Sequence, residues 1–462
     1  MQGKNPFSWK FVAPLYMGST LNPINSSLLA TALVPIALFM HVSAAKTTIL
    51  VSALYLASSI AQPTSGKLSE EFGPRHIFLT GILLVLLGGI LGGFGQNLSM
   101  LIAARVLIGI GTSTAYPSAM LLIRRRADEA ELSEPPGNVL GALQIAGIAT
   151  VVVGLPIGGI LIGIFGWRAT FFINIPIALI AFLMAALWIP RDIPTKSARS
   201  IKEISLRIDC IGVIAFTVTM IFLLVFLFSL PKVDLITLGI VIVCGTGLIL
   251  WELKVEHPFI DVRMLSKNIA LARTYIRFSL ITLCIYTVLY GFTEWLEAGH
   301  GISSSETGLL LLPMSILSAI VVLPISKRNL IRGPLIVSAV SSIIASFGIL
   351  FLNSNTPIIY ILIITLIFGI TMGTINGSSP IALYTQVTAE QIATASGLLR
   401  TFGYIGSIAS SALIGIVFHT KVADSGLHLI AIMMIVISGI ALLITISDRW
   451  LKNPVKSFKA ID

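Results

Sequence analysis

An all-α membrane protein is the fold class that three observations predict: an excess of apolar residues, their grouping into runs of membrane-spanning length, and a one-sided distribution of basic residues. Hydrophobic residues make up 56% of the 462-residue chain, charged residues 11%, and mean hydropathy is +0.97. A soluble globular domain carries about 25% charged residues. A helix that crosses a bilayer needs about 20 apolar residues in succession. Charge-poor runs of that length recur from end to end, and no hydrophilic stretch is long enough for a soluble domain. Fourteen transmembrane helices are expected, at approximately 12–40, 46–65, 76–96, 99–123, 137–163, 169–190, 209–230, 234–252, 269–293, 304–326, 333–352, 356–378, 392–419 and 426–447. The first run is too long for a cleaved signal and is expected to stay as a span.

Charge orients these spans. The three longer loops, 124–136, 191–208 and 253–268, are rich in Lys and Arg, and 22 of the 30 basic residues fall on their side. Only Lys46, Arg168, Lys232 and Lys421 lie opposite. The positive-inside rule makes the rich side cytoplasmic, with both termini there. The net charge of +10 is then a topology signal, and no nucleic-acid partner is expected. Cys210, Cys244 and Cys284 lie one to a run and read as small hydrophobes, not as disulfides or metal ligands. Four arginines, Arg105, Arg273, Arg277 and Arg400, fall inside spans. A charge at that depth is expensive and faces a protein interior or a watery cavity.

Motifs narrow the reading. Between spans two and three stands Gly66-Lys67-Leu68-Ser69-Glu70-Glu71-Phe72-Gly73-Pro74-Arg75. It resembles the signature loop of the major facilitator superfamily. Gly66, Gly73 and Arg75 match, Glu70 replaces the usual Asp, and Glu71 and Pro74 stand at other altered positions. Glycines allow a tight turn, and an acid at this end of a helix can latch a neighbouring helix start or an arginine. A plain polar hairpin is the alternative. Span four holds Arg105-Val106-Leu107-Ile108-Gly109-Ile110-Gly111, similar to the family's R-x-x-q-G-x-g, with Ile108 at the Gln position. The resemblance implies that Arg105 tunes a titratable neighbour in proton coupling; an arginine bonded to backbone carbonyls is the alternative. In span five, Gly147, Gly154, Pro156, Gly158 and Gly159 resemble the antiporter motif that ends G-P-x-x-G-G, with the proline moved one place from Leu155. Such glycines permit close helix packing.

The string Gly166-Trp167-Arg168-Ala169-Thr170-Phe171-Phe172-Ile173-Asn174-Ile175-Pro176 is close to one found in the fourteen-span drug:proton antiporters and is the most specific match. Asp209-Cys210-Ile211-Gly212 and the stretch Glu256-His257-Pro258 to Leu265 resemble further features of that branch. The spacing of Glu256, His257 and Asp261 fits no metal template, so no metal site is expected. In span thirteen, Arg400 holds the position of a family Asn, and Gly403 that of a family Arg.

The resemblance implies a major facilitator fold: an N-terminal six-helix bundle over 1–190, a linker with two inserted transmembrane helices over 191–252, and a C-terminal six-helix bundle over 253–462. Such halves rock about a midplane site. It implies a secondary active transporter, exporting drug-like or amphiphilic small molecules against protons. The expected setting is the cell inner (plasma) membrane, with lipid around a monomer. No cofactor is expected, since no Gly-rich phosphate loop appears. Without a nucleophile–base pair or metal cluster in the spans, the chain is not expected to be an enzyme.

The first span departs from the family. Drug exporters of this kind begin it L-D-x-T, whereas this chain offers Asn25 and Ser26 before Pro35. Asn and Ser bond a substrate but do not titrate near neutral pH. Glu294, with Glu297 at the outer end of span nine, comes nearest to replacing the acid. Either Glu294 carries protons or it is a solvated charge on the outer rim. Candidate substrate-binding residues are Asn22, Asn25, Ser26, Gln144, Arg277, Asn376 and Arg400. Arg277 shares a helix face with Arg273. Arg277 and Arg400 form either a positive vestibule or structural pairs. A vestibule suits an anionic metabolite or a siderophore-like carboxylate. A non-transporting membrane receptor on this fold is the reading from another class.

Overall fold

The computed structural model describes residues 6–132, 137–192, 201–229, 233–256, 258–260, 262–353, 355–387 and 392–452, and among them it is helical without a strand. The first run starts as α1 (Trp9–Ala30), breaks, and leaves as α2 (Leu33–Met40) at 58°. Pro35 explains the break: it has no N–H to offer the Thr31 carbonyl, and its ring presses on that same group. A short α3 (Ala44–Thr47) precedes α4 (Ile49–Phe72). Gly73, at φ +91°, turns the chain into α5 (Pro74–Gly93). Pro74 takes the first helical position, where a missing N–H costs nothing. Asn97 caps α6 (Leu98–Glu129) by accepting from the Met100 amide at 2.9 Å. This helix runs on through Arg124, Arg125 and Arg126, which the sequence places in a loop. Next come α7 (Gly137–Phe165), α8 (Ala169–Phe172) and α9 (Asn174–Trp188).

The middle of the chain carries α10 (Ile201–Ile208), α11 (Cys210–Ser229) and α12 (Leu235–Glu252). The second half opens with α13 (Val262–Lys267) and α14 (Ile269–Tyr286), whose cap is Asn268. Beyond Tyr286 the helix does not end. It widens into π-helical turns over Thr287–Phe292 and Trp295–Gly299. A capping box of Ser303 and Glu306 starts α15 (Ser304–Lys327). Then follow α16 (Arg332–Ile349), α17 (Ile358–Tyr384), α18 (Ile392–Val417) and α19 (Asp424–Ser447). The expected loops 191–208 and 253–268 thus contain the short helices α10 and α13.

Twelve stretches among the described residues are long and apolar enough to cross a membrane. The bent pair α1 and α2 makes a thirteenth, and α7 adds a shorter apolar stretch, Val153–Phe165. Fourteen were expected from the sequence. Part of the difference lies at the first run, which breaks.

Small residues set the packing. Gly81 on α5 and Gly111 on α6 face each other so closely that a Cβ on either would strike the other's carbonyl. In the first half α5 packs on α6 and α9, α4 on α6, and α1 on α7 and α9. In the second half α14 packs on α18 and α19, α15 on α17, and α16 on α17 and α19. Between the halves, α7 meets α15 and α4 meets α18. The pair α11 and α12 lies at the periphery against α4 and α18, with only 17% of each span buried. The inter-half contacts leave a central cavity beside them.

Candidate functional site

The cavity occupies about 290 Å³ at the seam between the halves. The first half lines it with Asn22, Ser26, Tyr116 and Gly147, and the second with Tyr286, Asn376, Tyr384, Arg400 and Tyr404. Four predicted substrate residues therefore meet there: Asn22, Ser26, Asn376 and Arg400. Asn22 and Ser26 face the same way because residues four apart share a helix face. Asn22 also donates to the Thr112 hydroxyl at 3.0 Å. Arg400 is the one formally charged residue in the lining among the described residues, and its guanidinium carbon lies 3.7 Å from the centre of the Tyr116 ring. The side chain of Gln144 lies outside the described residues.

Two expectations are corrected. Asn25 is fully buried away from the cavity and donates to the Asn174 side chain at 2.7 Å. One residue is about 100° of helix rotation, so Asn25 cannot share the outlook of Ser26. Arg277 does not reach the cavity either. It is 1% exposed and lies 3.6 Å from the carboxylate of Asp448, which Arg273 also approaches at 3.8 Å. Arg277 donates to the Thr274 hydroxyl, and Thr274 to the Gln386 side chain. Asp448 follows α19 directly; its place at the edge of the last run concealed it in the sequence. Arg105 is buried off the cavity lining. It donates to the Asn25 carbonyl at 3.5 Å and stacks 4.5 Å from the centre of the Phe171 ring, with Nε and Nη2 unpartnered.

A polar and aromatic seal lies between the cavity and the end carrying residues 94–97 and 299–303, expected to be the outer one. Tyr55 of α4 stacks on Tyr404 of α18 at 5.5 Å and meets Tyr286 edge-on at 5.2 Å. The hydroxyls of Tyr55 and Tyr290 lie 3.3 Å apart, and Tyr290 donates across the seam to the Ser26 carbonyl. Tyr404 donates to Gln62 at 2.7 Å. Further out, the hydroxyls of Ser52 and Ser411 touch, and Ser305 donates to the Gly159 carbonyl at 2.8 Å. The sequence reading missed these tyrosines. Their only sequence signal is aromatic hydroxyls inside apolar runs.

Glu294 stands between the two π-helical turns. It is 0% exposed, so it is no solvated rim charge, and among the described residues neither carboxylate oxygen has a hydrogen-bond partner. Nearby, Glu297 accepts from the Ser304 hydroxyl at 3.1 Å. Trp295 donates to Asp424 at 2.9 Å. The π register is common at functional sites. The arrangement offers a cavity shared by two halves, a seal toward the end expected to be outer, and a buried acid in the second half beyond that seal.

Comparison with known proteins accords with this architecture. Residues 15–411 match the family model described as Major Facilitator Superfamily. The chain belongs to the Major Facilitator Superfamily. Its members are transporters. It is 32% identical to YwoD, an uncharacterized MFS-type transporter of Bacillus subtilis (strain 168), over 94% of this chain and 96% of that protein. It is 26% identical to the tetracenomycin C resistance and export protein of Streptomyces glaucescens, over 90% of this chain and 77% of that protein. A solved D-xylose-proton symporter shares the superfamily fold with TM-score 0.65 at 12% identity, covering 96% of this chain and 97% of that one.

The superfamily loop residues fall at the end of α4 and start of α5. Gly66 lies against Pro117 of α6. Gly73 makes the turn, and Asp192 sits where a Cβ of residue 73 would be. Asp192 accepts from the Arg75 and His76 amides at 3.2 and 3.0 Å, while the Arg75 guanidinium donates to the Ala186 carbonyl. Glu70, the expected latch, is exposed; Glu71 makes the ion pair instead, with Arg207 of α10 at 3.1 Å. The acid that caps α5 is thus Asp192, which no residue of the loop announces. Of the antiporter-motif residues, Gly154 packs on Ser27 and Gly158 on Thr31 and Leu28 of the first run. Gly159 abuts the backbone of Ser304, and Pro156 faces Gly308 of α15.

Proposed function

We propose that the chain exports drug-like or amphiphilic small molecules in exchange for protons, by alternating access, from a plasma membrane with both termini cytoplasmic. The protein acts as a monomer of fourteen spans. Its bundles, 1–190 and 253–462, rock about the central cavity, and the inserted pair within 191–252 rides at their edge. One observation carries the reading: both halves line a single cavity, and the helix pairs α4–α18 and α7–α15 join the halves beside it. A cavity so placed changes sides when the pairs α4–α18 and α7–α15 part.

Glu294 is the proton carrier in this scheme. A charged carboxylate at that site has nothing to offset its lost hydration, and taking a proton removes the charge. The names of distant relatives, among them a resistance and export protein, support export as the direction. The test is a proteoliposome assay with anionic, neutral and cationic amphiphiles under an imposed pH gradient. The expected outcome is uphill movement of at least one class, dependent on the gradient. No movement of any class under any gradient overturns the reading and favours a receptor.

A further inference from the structure

The charge of the substrate is written into the cavity, given the reading of that cavity as the transport site. Among the described residues, the lining holds one formal charge, Arg400, and no carboxylate. It also holds the rings of Tyr116, Tyr286, Tyr384, Tyr404 and Phe278. The other candidate for a positive vestibule drops out, since Arg277 is paired with Asp448. In this structure Arg400 rests on the face of Tyr116, at 3.7 Å. Tyr116 is on α6 in the first half and Arg400 on α18 in the second, so this contact ties the halves together across the cavity.

We propose that the cavity is a binding site for an aromatic monoanion, whose acid group takes the Arg400 guanidinium from Tyr116. A carboxylate or sulfonate accepts two parallel N–H bonds from the planar guanidinium. That exceeds what an aromatic face supplies to the same cation. A neutral guest leaves Arg400 on Tyr116 and gains nothing from its charge. A cationic guest meets an unpaired like charge in a partly desolvated space. The tyrosines and Phe278 provide ring faces and edges for the guest's aromatic body. A volume of about 290 Å³ is near the lower limit of ligand pockets, which suits one or two fused rings. Binding has a second consequence: when the anion draws Arg400 away, one tie between the halves is lost. Substrate charge and bundle movement are linked through one side chain.

Three probes of one shape test this: naphthalenesulfonate, its neutral sulfonamide, and naphthylmethylammonium. Equilibrium dialysis with the purified full-length protein measures binding without requiring transport. The expected order is sulfonate over sulfonamide by roughly ten- to hundredfold, with the ammonium weakest. Arg400→Gln is expected to erase the sulfonate advantage, so that sulfonate and sulfonamide bind alike. Arg400→Lys keeps the charge and is expected to retain part of the advantage, which guards against a folding defect in the glutamine variant. Tyr116→Leu removes the internal competitor and is expected to tighten sulfonate binding. Equal binding of all three probes, or a sulfonate preference that survives Arg400→Gln, overturns the proposal. Sulfonate-selective binding without transport under any gradient refutes the exporter reading and leaves this site standing. Gradient-driven transport without charge preference does the reverse.

Discussion

Glu294 and Asp448 are both fully buried acids, yet they are placed for opposite tasks. Among the described residues, Glu294 has no cation and no hydrogen-bond donor. Glu294→Gln keeps its shape and removes its titration. The expected outcome is loss of export driven by a pH gradient, with substrate counterflow retained when no gradient is imposed. Both are read from proteoliposomes, and an unchanged response to the gradient removes Glu294 from the mechanism. Asp448 by contrast has Arg277 at 3.6 Å. Asp448→Asn leaves a buried arginine unpaired, at a cost of about 3–5 kcal/mol. The expected result is a lower melting temperature in detergent, and the double change Asp448→Leu with Arg277→Met recovers most of it. At this scale the sequence was legible where helix geometry decides, as for Asn22 and Ser26. It was illegible where a partner comes from far along the chain. Arg277 was visible as an expensive charge, but the acid that holds it sits beyond the last span.

Among the elements, α7 and α15 approach tightly between the halves. The Gly159 backbone lies on Ser304 and Ser305, and Gly308 lies on the Leu155 carbonyl. Gly159→Val has no room there unless the two helices part. Under the proposed rocking of the two bundles, the α4–α18 contact is expected to open with them. A cysteine at Ser52, in a background without native cysteines, reports this: its reaction with an externally added maleimide is expected to rise severalfold over the Gly159 parent. Unaltered labelling means that the two contacts open independently. The existence of the helices was legible because run length and hydropathy report the bilayer's demand directly. The break before Leu33 was carried by Pro35 but hidden inside a continuous apolar run. The π-helical turns after Tyr286 had no sequence signal, since hydropathy is blind to which carbonyl each N–H selects.

At the scale of the whole molecule, two halves joined by few helix pairs form a hinge only if one set of contacts can be exchanged for another. The motif string from Gly166 to Pro176 identified the branch it resembles, but it said nothing of which face is closed. Packing decides that, because only side chains brought together by both halves can seal a seam. Here the seal holds Ser52 against Ser411, with their hydroxyls in contact. Cysteines at those two positions are close enough to join in a disulfide. Cys210, Cys244 and Cys284 are first replaced by alanine so that no other thiol competes. Oxidation is expected to fix the outer seam shut and reduce transport to the level of empty proteoliposomes. A reductant is expected to restore it. Dialysis binding of naphthalenesulfonate should persist in the locked protein, because the cavity lies on the other side of the tyrosine seal. If transport continues after the crosslink is complete, the α4–α18 contact is not one that opens in the cycle. Another boundary between the halves must then carry the motion.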